Sequence, residues 1–156
     1  MLGDPATKIL LPKIPDFDIE QTDYWISDPY PAIKEAVMLK IYPKNLGTYA
    51  DSCKVEFQIL KNSITYKTSD TILRHFAFLD TAGYNFELDT IGSYSLKIIL
   101  DAGNWYPNEN KSNNILIIPI PLRDLSFLPI KPFDNSITRD DSVQIVGLNP
   151  GVDPTI

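Results

Sequence analysis

The residues equipped for nucleophilic chemistry are few. Cys53 is the one cysteine of the chain and His75 its one histidine. A Cys–His pair needs both members within hydrogen-bond reach of each other. Cys53 opens an alternating segment and His75 sits in an irregular one, so both are expected as structural side chains. The same counts exclude paired-histidine metal motifs, cysteine-rich zinc sites and an internal disulfide framework. No G-x-S-x-G, P-loop or G-x-G-x-x-G motif occurs. Neither catalytic residues nor a cofactor are expected.

Oxygen ligands are more plentiful. Asp101, Asn104, Asn108 and Glu109 share one loop, and Ca²⁺ prefers carboxylate and amide oxygens offered by a loop. The EF-hand spacing is absent, and Asp and Asn also close turns on their own backbone, so this is a weak Ca²⁺ candidate. Asp134, Asp140 and Asp141 form a second acidic group, expected as a solvated loop. The first loop also carries Trp105 and Tyr106, candidates for an interaction surface because aromatic rings offer contact area at small entropic cost. The competing expectation folds both rings back on the sheet and uses Trp25 to cap one end of the core. Asn110-Lys111-Ser112 is the single N-x-S/T sequon.

Strands must position these residues. The chain has 156 residues, of which 44% are hydrophobic and 22% charged, enough apolar side chain to fold. Its 13 prolines leave little room for long helices. The net charge of −6 argues against nonspecific nucleic-acid binding. No apolar run approaches the roughly 18–20 residues that span a bilayer. The N-terminus lacks the basic and apolar regions of a signal peptide. Period-two alternation runs through Val37–Ile41, Val55–Ile59, Tyr84–Leu88 and Tyr94–Leu100. Ile64-Thr65-Tyr66 follows Asn62-Ser63 as a hairpin return, whereas Thr71–Phe78 follows neither parity cleanly. Ile115–Ile120 is almost wholly apolar, which predicts a strand covered on both sides or lying at a domain junction. About seven short strands predict an all-β, immunoglobulin-like antiparallel sandwich. Its core should include Val37, Leu39, Ile41, Val55, Phe57, Ile59, Phe86, Tyr94, Leu96 and Ile98. Gly92 stands two residues before Tyr94 at the start of a strand, the spacing of a tyrosine corner.

Pro15–Ile19, Val37–Ile41 with the turn Asn45-Leu46-Gly47-Thr48, Gly92–Leu96, Asp101 and Glu109–Asn114 form an ordered set of local motifs, and that set resembles the CARDB domain, an immunoglobulin-like, adhesion-related module of bacterial and archaeal proteins. Pro15-Asp16-Phe17-Asp18-Ile19 is similar to its opening strand. Val37–Ile41 followed by Asn45-Leu46-Gly47-Thr48 is similar to its second strand and Asn-x-Gly turn. Gly92-Ser93-Tyr94-Ser95-Leu96, Asp101 and the Glu109-to-Asn114 ending are similar to its close. The match covers roughly residues 15–122, and Thr68–Leu79 departs from it. The resemblance implies a secreted or surface-exposed spacer or adhesion module without catalytic residues. Its partners would be other domains of the same polypeptide or neighbouring subunits, and its location extracellular or at the cell surface.

Residues 1–15 are expected as a lead-in and 16–122 as the sandwich. Residues 123–156 are expected as a linker with the start of a following β domain, or as a docking tail. Within that tail, 125–132 and 141–150 look like an opening strand and its successor. The chain is therefore expected to be a piece of a longer protein, or a subunit of an ordered assembly such as a virion, filament or secretion complex. A carbohydrate-binding module using Trp105 and Tyr106 is a weaker alternative.

Overall fold

The computed structural model describes residues 12–123. The expectations for residues 1–11 and 124–156, including both tail strands and the acidic group Asp134, Asp140 and Asp141, lie outside the described residues.

Within that span the strands are β1 (Phe17–Asp18), β2 (Tyr24–Ile26), β3 (Val37–Ile41), β4 (Lys44–Asn45) and β5 (Ala50–Lys61). They continue with β6 (Ile64–Phe76), β7 (Ala82–Phe86), β8 (Tyr94–Ile99) and β9 (Ile115–Ile120). The only helical element among the described residues is a short 3-10 turn, Lys111–Asn113. No helix there is long and apolar enough to cross a membrane. A four-stranded sheet in the order β6-β5-β8-β9 faces a three-stranded sheet in the order β2-β3-β7. β1 and β4 form a small third pair. Every strand pairing is antiparallel. The protein is an all-β, immunoglobulin-like sandwich.

Alternation generates the core. On β5, Cys53, Val55, Phe57 and Ile59 point inward and are essentially inaccessible, while Lys54, Glu56 and Gln58 point outward. Val37, Leu39 and Ile41 on β3 meet them from the opposite sheet. The Phe57 ring stacks on Tyr84 of β7 at 5.1 Å between centroids, bridging the two layers. All ten residues expected in the core are buried. Phe17, Phe76, Leu88 and Leu100 join them.

β5 and β6 form one long hairpin. Asn62 and Ser63 both have positive φ, 50° and 67°, as a two-residue turn requires if it is to follow the twist of its strands. β6 is an edge strand, and among its inward positions Lys67, Ser69 and Thr71 are only partly covered. Only Leu73 and Phe76 are buried along it, which is why its sequence shows no clean parity.

β9 corrects one of the two alternatives expected for it, the strand covered on both sides. It is the opposite edge of the four-stranded sheet, with Leu116, Ile118 and Ile120 inward and Ile115, Ile117 and Pro119 outward. Among the described residues it is covered on one side only. Pro119, which lacks an N–H, sits where an edge strand can spare one. Trp25 corrects a second expectation. It lies 47% exposed on the outer face of the three-stranded sheet, opposite Lys40, and does not cap the core.

Tyr94 opens β8 with its ring buried and its hydroxyl donating to Thr90 O at 2.9 Å, four residues upstream. That bond ties the loop before β8 to the sheet. Tyr94→Phe keeps the ring and removes the bond, so unfolding stability should fall by about 1 kcal/mol. A urea titration should show a lower midpoint with an unchanged slope.

Candidate functional site

Three buried polar side chains, Asp101, Glu109 and Asn114, lie on the segment joining β8 to β9. Asp101 and Glu109 both have fully buried carboxylates. Asp101 Oδ1 accepts the Trp105 N–H at 2.9 Å, and Oδ2 accepts the Tyr106 N–H at 3.0 Å together with the Lys111 ammonium. Glu109 Oε2 accepts the Phe17 N–H of β1 at 3.1 Å. Glu109 Oε1 accepts Lys111 Nζ at 2.9 Å and also the Asn114 amide. A buried carboxylate is tolerable only when its lone pairs are taken and its charge is opposed. Backbone N–H groups take the lone pairs here, and Lys111 opposes the charge. Burial pulls the Lys111 pKa down, but its bonds to Asp101 and Glu109 outweigh that and raise it above its ordinary 10.5.

This geometry sorts the four loop residues with oxygen ligands. Asp101 and Glu109 meet, and the cation between them is Lys111. Asn104 and Asn108 are exposed on the loop away from that centre. Asn104 occupies a left-handed turn position at φ 50°, its N–H bonded to Asp101 O at 2.8 Å. The aromatic pair is likewise divided. Tyr106 packs edge-on against Phe17 at 5.5 Å, whereas Trp105 remains 46% exposed. Only Trp105 presents a ring to solvent. Asn110 Oδ1 of the sequon accepts the Ser112 N–H at 3.2 Å and starts the 3-10 turn.

The opposite flank of β1 is held by the Asn45-Leu46-Gly47 turn. Asn45 is 2% exposed and fully bonded. Its Oδ1 accepts the N–H groups of Asp16 and Gly47, each at 3.1 Å. Its Nδ2 donates to Thr48 O at 2.6 Å and Phe76 O at 3.0 Å. Residues 14–16 pass so close to Gly47 that a Cβ there would lie 2.2 Å from Ile14 O. No residue but glycine fits without moving the backbone.

The remaining reactive groups are kept apart. Cys53 is inaccessible, and burial pushes its thiol up to about 12. Its sulfur accepts the Asp101 N–H at 3.4 Å. His75 is exposed, with Nδ1 2.6 Å from the Tyr49 hydroxyl. Thiol and imidazole therefore serve different partners. Sequence reasoning missed a third carboxylate group, Asp18, Glu20 and Asp23, whose ligand atoms lie within 4.8 Å of one another. A lysine occupies this group too: Lys44 Nζ stands 2.8 Å from Asp23 and 3.9 Å from Glu20. The alternation of acidic residues from Asp16 to Glu20 was the available signal, but Lys44 is remote in sequence. A groove of about 350 Å³ opens beside β7, lined by Ala36, Lys67, Tyr84, Asn85, Phe86 and Glu87. Its lysine is turned to Asp89 at 2.8 Å and Glu87 O at 3.1 Å.

The Lys111 centre makes three predictions. Lys111→Met should destabilise the fold by about 3 kcal/mol, the low end for a broken buried pair because Lys111 is itself over a third exposed. The folded-state pKa of Lys111 is raised, so its contribution is complete below pH 10.5 and fades as pH rises through the folded value. Denaturant titrations should therefore show a wild-type advantage that is constant near neutrality and closes above pH 10.5. Calcium or a chelator should leave the melting temperature unchanged, since a cation that does not bind adds no stability by linkage.

No family model matches the chain. No curated protein matches it either. Solved structures do. A crystal structure of the CARDB domain of a Pyrococcus furiosus protein, in complex with di-metal ions, aligns with a TM-score of 0.55 and 21% identity. It covers 73% of this chain and 93% of that one. The same domain solved by solution NMR aligns with a TM-score of 0.53 and 21% identity, over 70% of this chain and 95% of its own. A domain of a candidate cell surface protein from Methanosarcina acetivorans aligns with a TM-score of 0.48 and 20% identity, over 71% and 94%. Alignment over nearly the whole of the P. furiosus CARDB domain, with the same sandwich, shows that this chain has the CARDB fold.

Proposed function

We propose that this chain is a non-catalytic spacer or adhesion module of a larger cell-surface protein. The observation that carries the reading is where the backbone arrives and leaves. Ile14 O accepts the Thr48 N–H at 3.0 Å, two residues before β5 begins at Ala50. Ile120 pairs with Tyr94, which pairs with Lys61, where β5 ends. The two connections thus stand at opposite ends of a strand of 12 residues, about 40 Å at a rise of roughly 3.3 Å per residue. A domain joined at opposite ends lengthens a polypeptide by its own long axis. One joined at a single end would hang as a side branch.

The chemistry supports the same reading. The buried carboxylates serve backbone N–H groups and lysines, and the thiol is held neutral. The CARDB fold supports a surface role through the family's adhesion-related character. The di-metal ions belong to the P. furiosus domain, and here Lys111 and Lys44 provide cations from within the chain.

Immunolabelling of intact source cells with antibodies to this sandwich tests the proposal. Labelling without permeabilisation is the expected result, and labelling only after permeabilisation would overturn it. Light scattering on the full chain separates the module from an assembly subunit. A monomer is expected, whereas an ordered oligomer that dissociates when residues 124–156 are deleted would favour the assembly.

A further inference from the structure

We propose that the sandwich carries a tensile clamp, in which the arriving segment Phe17–Gln21 and the departing segment Glu109–Ile117 are bonded side by side and resist sliding together. Three hydrogen bonds join them, each 3.1 Å long. Phe17 N–H donates to Glu109 Oε2, Ile19 N–H to Asn113 O, and Gln21 Nε2 to Ile117 O. The contacts advance along both segments together, 17 with 109, 19 with 113 and 21 with 117, so the segments run in the same direction. This inference rests on the spacer reading for its purpose, though not for its geometry.

The direction of load follows from the two connections. Tension on residue 13 draws the arriving segment toward the Ala50 end, and tension on residue 121 draws β9 toward the Lys61 end. Parallel neighbours pulled in opposite senses are sheared, so all three bonds carry load together and none can open first. Each side is anchored behind the clamp. β9 is paired with β8 at six positions, from Ile115↔Ile99 to Ile120↔Tyr94. Glu109 is held by Lys111 and by Asn114, whose backbone O accepts the Leu100 N–H of the chain leaving β8 at 2.8 Å. On the other flank, Asn45 and the tight approach at Gly47 keep residues 14–16 from peeling away.

Single-molecule pulling on the full chain tests the clamp. Cysteines placed at Lys13 and Pro121, both exposed, attach handles for an axial pull. Cysteines at Lys13 and Asn104, both at the Ala50 end, attach them for a peeling pull. Native Cys53 is buried and unreactive toward the handles. At equal force, axial unfolding should be the slower of the two. Gln21→Ala removes one exposed bond and should raise the axial unfolding rate about fivefold, with a smaller effect on the peeling rate. Glu109→Gln should act in the same direction. Equal rates in the two geometries, or an axial rate indifferent to Gln21→Ala, would overturn the clamp. Failure of surface labelling with the anisotropy intact would remove the cell-surface reading alone.

Discussion

The buried carboxylate of Glu109 is the constraint on which the rest of the structure depends. It reaches β1 through the Phe17 N–H, the 3-10 turn through Lys111, and the chain leaving β8 through Asn114. Of these, β1 is remote in sequence, with Phe17 92 positions from Glu109. Burying an ion is costly unless every lone pair is used, so the site tolerates few alternative arrangements. Moving β1 would strand an acceptor, and moving the loop would strand both carboxylates. A short strand of two residues could not fix itself by pairing alone. Glu109 on one flank and Asn45 on the other give it a single position.

The fold was legible wherever one face of a strand is buried and the other is wet. β3, β5 and β8 alternate for that reason, and their inward residues could be read directly. β6 could not, because it is an edge strand whose inner face is only partly covered. β9 misled through composition: its outward isoleucines lie on an edge, where apolar residues can remain half exposed. Of the site, Asp101 and Glu109 were identifiable as oxygen ligands, but their cation was not. Lys111 lies two residues from Glu109 and reads as an ordinary charge in a polar loop. Only the fold shows that the loop closes around it. The Lys44 cluster was less legible still, since its members come from separate turns.

Lysine and a divalent metal solve the same problem differently. Both oppose clustered carboxylates, but an ammonium is covalently present and donates directed bonds. A site built on lysine is therefore complete once the chain folds and independent of the metal supply. Its weakness is that the charge can be lost at high pH, which a metal ion does not share. The raised pKa of Lys111 places that loss well above physiological pH.

Modules joined end to end hold their neighbours at high local concentration, which makes open sheet edges hazardous. Both edges of the four-stranded sheet are dressed against this. β6 sets Asp70 and Arg74 outward, and its Lys67 is tied to Asp89. β9 places Pro119 in its edge, and Gln21 occupies the outward carbonyl of Ile117. The Gln21 bond therefore acts twice: it blocks a carbonyl that could seed pairing with another copy, and it closes the last link between the arriving and departing segments. A side chain that covers an edge from a neighbouring segment necessarily ties that segment to the edge. Edge protection and resistance to axial load therefore arise here from the same contact.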